Sequence, residues 1–209
     1  MGSEGPGGVT IHVTGFKKFH GVAENPTEAI VDNLKAFVEE TGLPAGVTLG
    51  SCTVLDAAGD GALPLLYKVL ESGISNVTET TKLIWLHLGV NSGSARFAVE
   101  WQAVNEATFR YPDELGWQPQ KLPIVMEDGE ISMIRKTSCS APTILERLKA
   151  KSYNVILSED AGRFKPLRLH VENCFDCSDC SINSVNVNIQ AVDAVSCKEG
   201  LFSQGTKEV

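Results

Sequence analysis

The densest group of reactive side chains in the sequence is a run of three cysteines, Cys174, Cys177 and Cys180. Thiolates bind zinc, but a structural zinc site usually draws four ligands from separated pairs. The other candidate metal ligands are His170, which lies shortly before the three cysteines, and the single Cys197. The spacing therefore favours an irregular cysteine-rich tail, and we expect no metal ion. A metal-binding tail is the alternative.

Glu100 is the carboxylate that we single out, because it follows a glycine-containing loop that begins at Gly89. A carboxylate beside such a loop can act as an acid, a base or an orienting group. Spacing alone favours the alternative, a glutamate that faces solvent. His12 and His87 alternate within apolar segments and are interpreted as core histidines, whereas His20 is interpreted as a surface residue.

Phe16 and Phe19 lie three residues apart in a segment that follows a predicted strand. Two aromatic faces can hold a flat ring between them, which is worth on the order of 1 kcal/mol beyond the area buried. The alternative is that the rings fill the hydrophobic core, and we expect this of at least one of them.

Two glycine pairs raise the question of a nucleotide cofactor. Gly89-x-x-x-Gly93 lacks the Lys and Ser/Thr of a P-loop. Gly59-x-Gly61 lacks the third glycine of the dinucleotide fingerprint. Tight turns between strands and helices explain both pairs, so we expect no nucleotide and no other cofactor.

The charge balance excludes several classes of partner. The 209 residues carry a net charge of −8, with a pI of about 5.0. This argues against nucleic acid, whose phosphates need clustered Lys and Arg, and against an anionic membrane surface. No apolar run is long enough to predict a membrane span. Residues 1–8 lack the basic and apolar regions of a signal peptide, so we expect a cytoplasmic protein with reduced cysteines.

Strand and helix signals alternate along most of the chain. Strands are predicted at 9–14, 47–56, 83–88 and 153–157, and helices at about 26–41, 63–70 and 142–151. The nearly continuous apolar run at 83–88 is typical of a central strand that is covered on both faces. The alternation predicts an α/β domain of three layers, α/β/α, around a twisted parallel or mixed sheet.

Two helices carry specific signals at their starts. Asn25 can cap the first helix, Pro26 suits its first position, and Gly42 ends it. Pro64 fits the second helix only if it lies in the first turn. Ligands of such folds bind beyond the carboxyl ends of strands, which selects the loops at 14–25, 89–100 and 158–165.

The alternation of strand and helix signals ends after Phe164. We therefore divide the chain into an α/β domain over 1–164 and a divergent, cysteine-containing tail over 165–209. Residues 114–137 predict a long excursion with short strands. Residues 182–195 alternate apolar and polar positions, as a strand with one exposed face does.

Together these segments resemble the pyroglutamyl-peptidase I (pyrrolidone-carboxylate peptidase) family of cysteine peptidases, most closely its plant members. The resemblance covers about residues 9–164, and its motifs fall in the family's order. They are Val13-Thr-Gly-Phe16-x-x-Phe19-x-Gly21 with Glu24-Asn-Pro26, Gly89-x-x-x-Gly93-x-x-Arg96-Phe-Ala-Val-Glu100, Val104-Asn-Glu-Ala-Thr-Phe-Arg110-Tyr-Pro-Asp113, Gly116-Trp-Gln-Pro119 and Ser158-Glu-Asp-Ala-Gly-Arg-Phe164.

The resemblance implies an α/β/α hydrolase that removes N-terminal pyroglutamate from peptides with a Cys-His-Glu triad, and that often forms homo-oligomers. Glu100 matches the glutamate that orients the histidine, and Arg110 matches an arginine near the nucleophile. Phe16 and Phe19 match the aromatic pair that holds the lactam ring. A family glutamine falls at Val90, where neighbouring Asn91 is the substitute.

The family pattern breaks where the nucleophile belongs. The family continues after this Ala-Gly-x-Phe element with Val-Cys-Asn and a helix, but here Lys165-Pro166-Leu167 follow. The helix and the later strand that delivers the histidine are missing or replaced. We therefore expect a peptidase that is impaired because its cysteine and histidine are not in place. The alternatives are an inactive relative that only binds pyroglutamyl peptides, and a chain in which Cys174 replaces the nucleophile.

Overall fold

The computed structural model describes residues 8–75, 81–91 and 95–159, together with the backbone of 182–190. Within these residues the chain forms eight strands, three α-helices and a 3₁₀ turn at Met126–Asp128. The elements in chain order are β1 (Val9–Phe16), α1 (Pro26–Thr41), β2 (Val47–Leu55), α2 (Gly59–Ser75), β3 (Lys82–Asn91), β4 (Phe97–Glu100), β5 (Gln102–Val104), β6 (Ile134–Lys136), α3 (Ala141–Ala150), β7 (Val155–Ser158) and β8 (Ile182–Gln190).

Six of these strands form one mixed sheet, in the order β2-β1-β3-β8-β4-β7. Strands β1, β2, β3 and β8 run in one direction, and β4 and β7 run in the other. Strands β5 and β6 pair with each other in a separate antiparallel ribbon. The predicted mixed sheet is therefore confirmed.

Helices cover the two faces of the sheet, as the alternation predicted. On one face Val13 and Leu88 pack against Val31 of α1, and farther along Val99 packs against Ala141 at the start of α3. The opposite face packs against α2, where Leu66 meets the ends of β1 and β2. This arrangement gives three layers. Within the described part of the chain, no helix has the length and hydropathy needed to cross a bilayer.

The start of α1 follows the predicted capping signals. The Asn25 side chain accepts a hydrogen bond from Thr27 N–H at 3.0 Å, and Pro26 occupies the first helical position. Gly42 ends the helix at a φ of 76°, a conformation in which a Cβ is disfavoured.

Helix α2 begins earlier than its sequence predicts. Pro64 is the sixth residue of the helix rather than part of its first turn. Proline cannot donate the intrahelical hydrogen bond that this position normally makes. Packing of Leu66 and Ala62 against the sheet outweighs that loss and keeps the chain helical across the proline.

The divergent tail contributes a strand, β8, which pairs with both β3 and β4. Strand β8 lies between them, parallel to β3 from Leu83↔Ile182 to Asn91↔Gln190 and antiparallel to β4. The alternation of apolar and polar residues predicted a strand here. The strand is the fourth of six in the sheet order, so it has a neighbour on each side. Residues 165–181, with Pro166 and the cysteine run, lie outside the described residues.

We predict that Gly15→Ala destabilises the protein. A Cβ at Gly15 would lie 2.6 Å from the Thr27 carbonyl oxygen and 2.9 Å from a methyl group of Val31, where β1 crosses the start of α1. Backbone cannot retreat cheaply, so overpacking should cost about 1–3 kcal/mol in the free energy of unfolding, measured by urea denaturation. Gly8→Ala is the control, because its Cβ would meet its nearest atom at an ordinary 3.7 Å. Equal stability of the two variants would contradict this packing.

Candidate active site

A row of polar residues crosses the sheet on the face that α2 covers. Thr14 pairs in register with His87, His87 with Asn186, Asn186 with Glu100, and Glu100 with Ser158. Residues directly paired across strands project from the same face of a sheet. The row therefore places two titratable side chains, His87 and Glu100, in the interior of one sheet face.

His87 is held by a hydrogen bond to the neighbouring strand. Its Nδ1 lies 2.6 Å from the Thr14 hydroxyl, and both residues are buried. The interpretation of His87 as a core histidine with a polar partner is confirmed. The hydroxyl fixes the ring's orientation, because a buried polar group without such a partner costs about 1–3 kcal/mol.

Glu100 is buried, with 3% of its surface exposed, so the alternative of a solvent-facing glutamate is wrong. The sequence signal that indicated this burial is the apolar run 97–99, because Glu100 continues it as the last residue of β4. Its register partners are Asn186 on β8 and Ser158 on β7. His87 is two strands away, about 10 Å at the usual strand spacing. The position directly beside Glu100 on β8 is therefore occupied by an asparagine.

The two phenylalanines play different parts. Phe16 ends β1 and is buried in a core cluster with Leu55, so the expectation that at least one ring fills the core is confirmed. Its N–H donates to the Thr27 hydroxyl at 2.9 Å, which ties the strand end to α1. Phe19 is half-buried in a turn that is closed by two backbone hydrogen bonds with Val22, at 3.2 and 2.8 Å.

The remaining candidate residues lie on nearby loops and strand ends. The loop after β1 meets the excursion through His20, which is exposed as predicted and whose N–H donates to Glu114 Oε1 at 2.5 Å. Arg110 lies between β5 and the excursion, with its side chain exposed. Asn91 is the last residue of β3, and only its backbone is described.

The selected loops do not all leave the sheet in one direction, as the rule for parallel sheets would require. Strand β7 runs opposite to β1 and β3. Ser158 at its end is therefore level with Thr14 and His87, and β7 points away from the loop that follows Phe16. Polar residues of the row thus lie within the sheet rather than beyond its edge.

Asn105 is a structural residue of this region that was not singled out from the sequence. It is fully buried, its Oδ1 accepts from Ile124 N–H at 3.0 Å and Val125 N–H at 2.7 Å, and its Nδ2 donates to the Val125 carbonyl at 2.9 Å. The Asn105 side chain thus holds the Ile124–Val125 part of the excursion beside the end of β5. The sequence signal that could have identified Asn105 is its position directly after the short alternating strand β5.

Asp113 joins the excursion to the start of α2. Its Oδ2 accepts from Gly59 N–H at 2.8 Å, and its Oδ1 accepts from the N–H groups of Leu115 and Trp117 at 2.9 Å. A carboxylate at a helix N-terminus is favoured by the helix dipole. The Trp117 ring packs where a Cβ at Gly59 would lie, 2.4 Å from its nearest atom, so this helix must start with glycine.

Neither cysteine in the described part of the chain has the properties of a nucleophile. Burial raises the pKa of the Cys52 and Cys139 thiols above the ordinary value, which favours the unreactive protonated form. Both are half-buried. Among the described residues no group of three metal-ligating side chains comes together. The cluster at Cys174, Cys177 and Cys180 lies outside those residues.

The comparisons with known proteins point to one group of enzymes. Pyrrolidone-carboxylate peptidase 1 of Caldanaerobacter subterraneus subsp. tengcongensis is 27% identical over 154 residues, which are 74% of this chain and 68% of that protein. The pyrrolidone-carboxylate peptidase of Pyrococcus furiosus is 30% identical over 114 residues, 54% of this chain and 48% of that protein. The chain thus spans about two thirds or less of these curated relatives, and no family model matches it.

Solved structures with this fold carry similar names. Pyrrolidone carboxyl peptidase from Thermus thermophilus has a TM-score of 0.71 at 20% identity, covering 90% of this chain and 88% of that one. The enzyme from Fervidobacterium islandicum AW-1 has a TM-score of 0.69 at 22% identity, covering 96% and 86%. At 20–22% sequence identity, this structural similarity establishes the α/β/α fold and nothing further.

We predict that Asn105→Leu strongly destabilises the region around the site. Leucine has nearly the same size but leaves the N–H groups of Ile124 and Val125 buried without their present partner. We expect a loss of about 2–4 kcal/mol in urea denaturation. Asn33→Leu is the matched control, because that exposed side chain bonds only within the surface of α1 and should change stability by less than about 0.5 kcal/mol. Similar losses in both variants would refute the assigned role.

Proposed function

From its kinship with the pyroglutamyl-peptidase I family, we propose that this chain is a pyroglutamyl-peptidase-like protein that recognises N-terminal pyroglutamyl peptides but is impaired in hydrolysis. Its curated relatives and structural neighbours are pyrrolidone-carboxylate peptidases, so a pyroglutamyl-peptidase-like function has the support of sequence and fold. The proposed impairment is argued from Pro166, which stands in the sequence where the nucleophile belongs, and is supported by Asn186 on β8, which pairs in register with Glu100.

Recognition requires a slot that suits a small neutral lactam. Pyroglutamate has no free α-amine, so it needs an apolar surface and amide-type hydrogen bonds rather than a charge clamp. We propose that Phe19, half-buried in the turn after β1, supplies the exposed aromatic surface and that Phe16 forms its base. Asn91 at the end of β3 is the proposed amide, and Arg110 faces the peptide from the segment that follows β5.

Hydrolysis by this family's route requires a thiolate and a base. Lys165-Pro166-Leu167 follow the Ala-Gly-x-Phe element, and proline has neither a thiol nor an N–H to donate. Glu100 can orient a histidine only if one lies within hydrogen-bond reach, and an asparagine amide cannot accept a proton from a thiol near neutral pH. Without a thiolate no acyl-enzyme forms, so we propose binding without efficient turnover.

The setting of this function is also a proposal. We place the recognition function in the α/β domain of residues 1–164 and propose that β8 of the tail completes its sheet. We propose that the protein works in the cytoplasm without a metal or another cofactor, and that it does not bind nucleic acid or membranes. A homo-oligomer is compatible with this proposal.

The full chain should fail to release 7-amino-4-methylcoumarin from its pyroglutamyl amide while binding pyroglutamyl-alanine amide in calorimetry. Phe19→Ala should weaken that binding about tenfold, because one aromatic wall is lost. Phe37→Ala on α1 is the control, since it removes an equally half-buried ring from another part of the fold. Circular dichroism should show that both variants are folded.

Two results would overturn the proposal in different ways. Hydrolysis that iodoacetamide abolishes would mean that another cysteine, such as Cys174, supplies the nucleophile. Absence of both heat and thermal stabilisation with the pyroglutamyl ligand would remove the recognition function itself. Glu100→Gln separates the cases, because it should leave binding nearly unchanged and would reduce turnover only if a functional triad exists.

A further inference from the structure

A cavity lies between the sheet and the later turns of α2. It has a volume of about 490 Å³ and is lined by residues of β1, β2, β3 and α2. Its residues on β1 and β3, such as Thr10 and Leu83, come from the amino-terminal halves of those strands. Cavities of this size accommodate small organic molecules. None of the residues proposed above for pyroglutamate recognition lines it.

His12 presents a defined hydrogen-bond donor to this cavity. The Ser51 N–H donates to His12 Nδ1 at 3.1 Å, and the Ser51 hydroxyl lies 2.8 Å from the same nitrogen. A nitrogen that accepts a backbone N–H carries no proton, so in the neutral ring the proton is on Nε2. Burial lowers the pKa of His12, which keeps the ring neutral near pH 7. The free end of the ring is therefore a neutral N–H donor.

Local backbone features hold the ring in this position. The pairing of β1 with β2 shifts register between Ile11 and Val13, opposite Gly50 and Ser51, as a bulge does. On its other side the ring stacks on Trp85 with centroids 4.2 Å apart. The Ser51 hydrogen bonds, the Trp85 ring and the bulge thus fix the imidazole plane.

Two glycines let the backbone approach the stacked rings closely. A Cβ at Gly50 would lie 2.6 Å from His12 Cε1, and one at Gly73 would lie 2.8 Å from the Trp85 ring and 3.1 Å from His12 Nε2. Both glycines line the cavity. A side chain at Gly73 would crowd the Nε2 edge, so glycine at this position leaves that edge on the cavity wall.

The lining favours a ligand with negative charge and hydrogen-bond acceptors. It contains Lys68 at the rim and hydroxyl groups from Thr10, Thr53 and Ser72, and no Asp or Glu is among the described residues that line it. This is notable in a chain whose net charge is −8. Leu65, Val69 and Leu83 supply apolar surface to the same cavity.

We propose that this cavity binds a small organic monocarboxylate, whose carboxylate accepts from His12 Nε2–H and pairs with Lys68 while its apolar body lies against Leu65, Val69 and Leu83. One cation beside a neutral donor balances a single negative charge, whereas a phosphate dianion would remain undercompensated. The apolar surface would also be left uncovered by an inorganic anion. This inference does not depend on the pyroglutamyl-binding proposal.

Hexanoate is the probe, with hexanol and inorganic phosphate as comparison ligands for the full-length protein. Tryptophan fluorescence should report binding, because Trp85 is stacked on His12. We expect saturable binding of hexanoate, with hexanol and phosphate each at least about tenfold weaker. In a ¹⁵N-histidine spectrum, the Nε2–H signal of His12 should shift on addition of hexanoate and not of phosphate.

Lys68→Met should weaken hexanoate binding about tenfold and leave hexanol binding unchanged, because only the charged group loses its partner. Lys149→Met, which removes an exposed lysine from α3, is the matched control and should change neither. Hexanoate binding no tighter than hexanol, tighter binding of phosphate, or equal effects of the two lysine substitutions would overturn the proposal. No binding up to about 10 mM hexanoate would overturn it as well.

Discussion

The insertion of β8 between β3 and β4 determines the geometry of the whole sheet. In the described sheet order, β4 and β7 connect to the other strands only through β8. Backbone N–H and C=O groups in a sheet interior need ladder partners, and β8 supplies them to strands that run in opposite directions. Because β8 lies between β3 and β4, His87 and Glu100 are separated by two strand spacings rather than one.

The polar row that crosses this strand differs in character along its length. At one end Thr14 and His87 are bonded directly. At the other end Glu100 lies between Asn186 and Ser158, two residues that cannot serve as a general base near neutral pH. The two titratable residues of the row, His87 and Glu100, are therefore separated by two strand spacings.

Local chemistry made some of the fold predictable. Asn25 and Pro26 specify the start of α1 through hydrogen bonding and a fixed φ, and the apolar run 83–88 marks β3 as a central strand. Non-local packing decided the rest. The helix continues through Pro64 because its neighbours bury apolar surface, and Glu100 is buried because strands from distant parts of the chain flank it. Asn105 acts through partners about 20 residues away.

Strand β8 also has a consequence for the order in which the fold can be completed. Leu83 pairs with Ile182, 99 positions later in the chain. Contacts of such long sequence separation slow folding, because a large loop must close before they form. During translation β3 and β4 lack this ladder partner until residue 190 has left the ribosome, and unpaired strand edges of this kind favour aggregation.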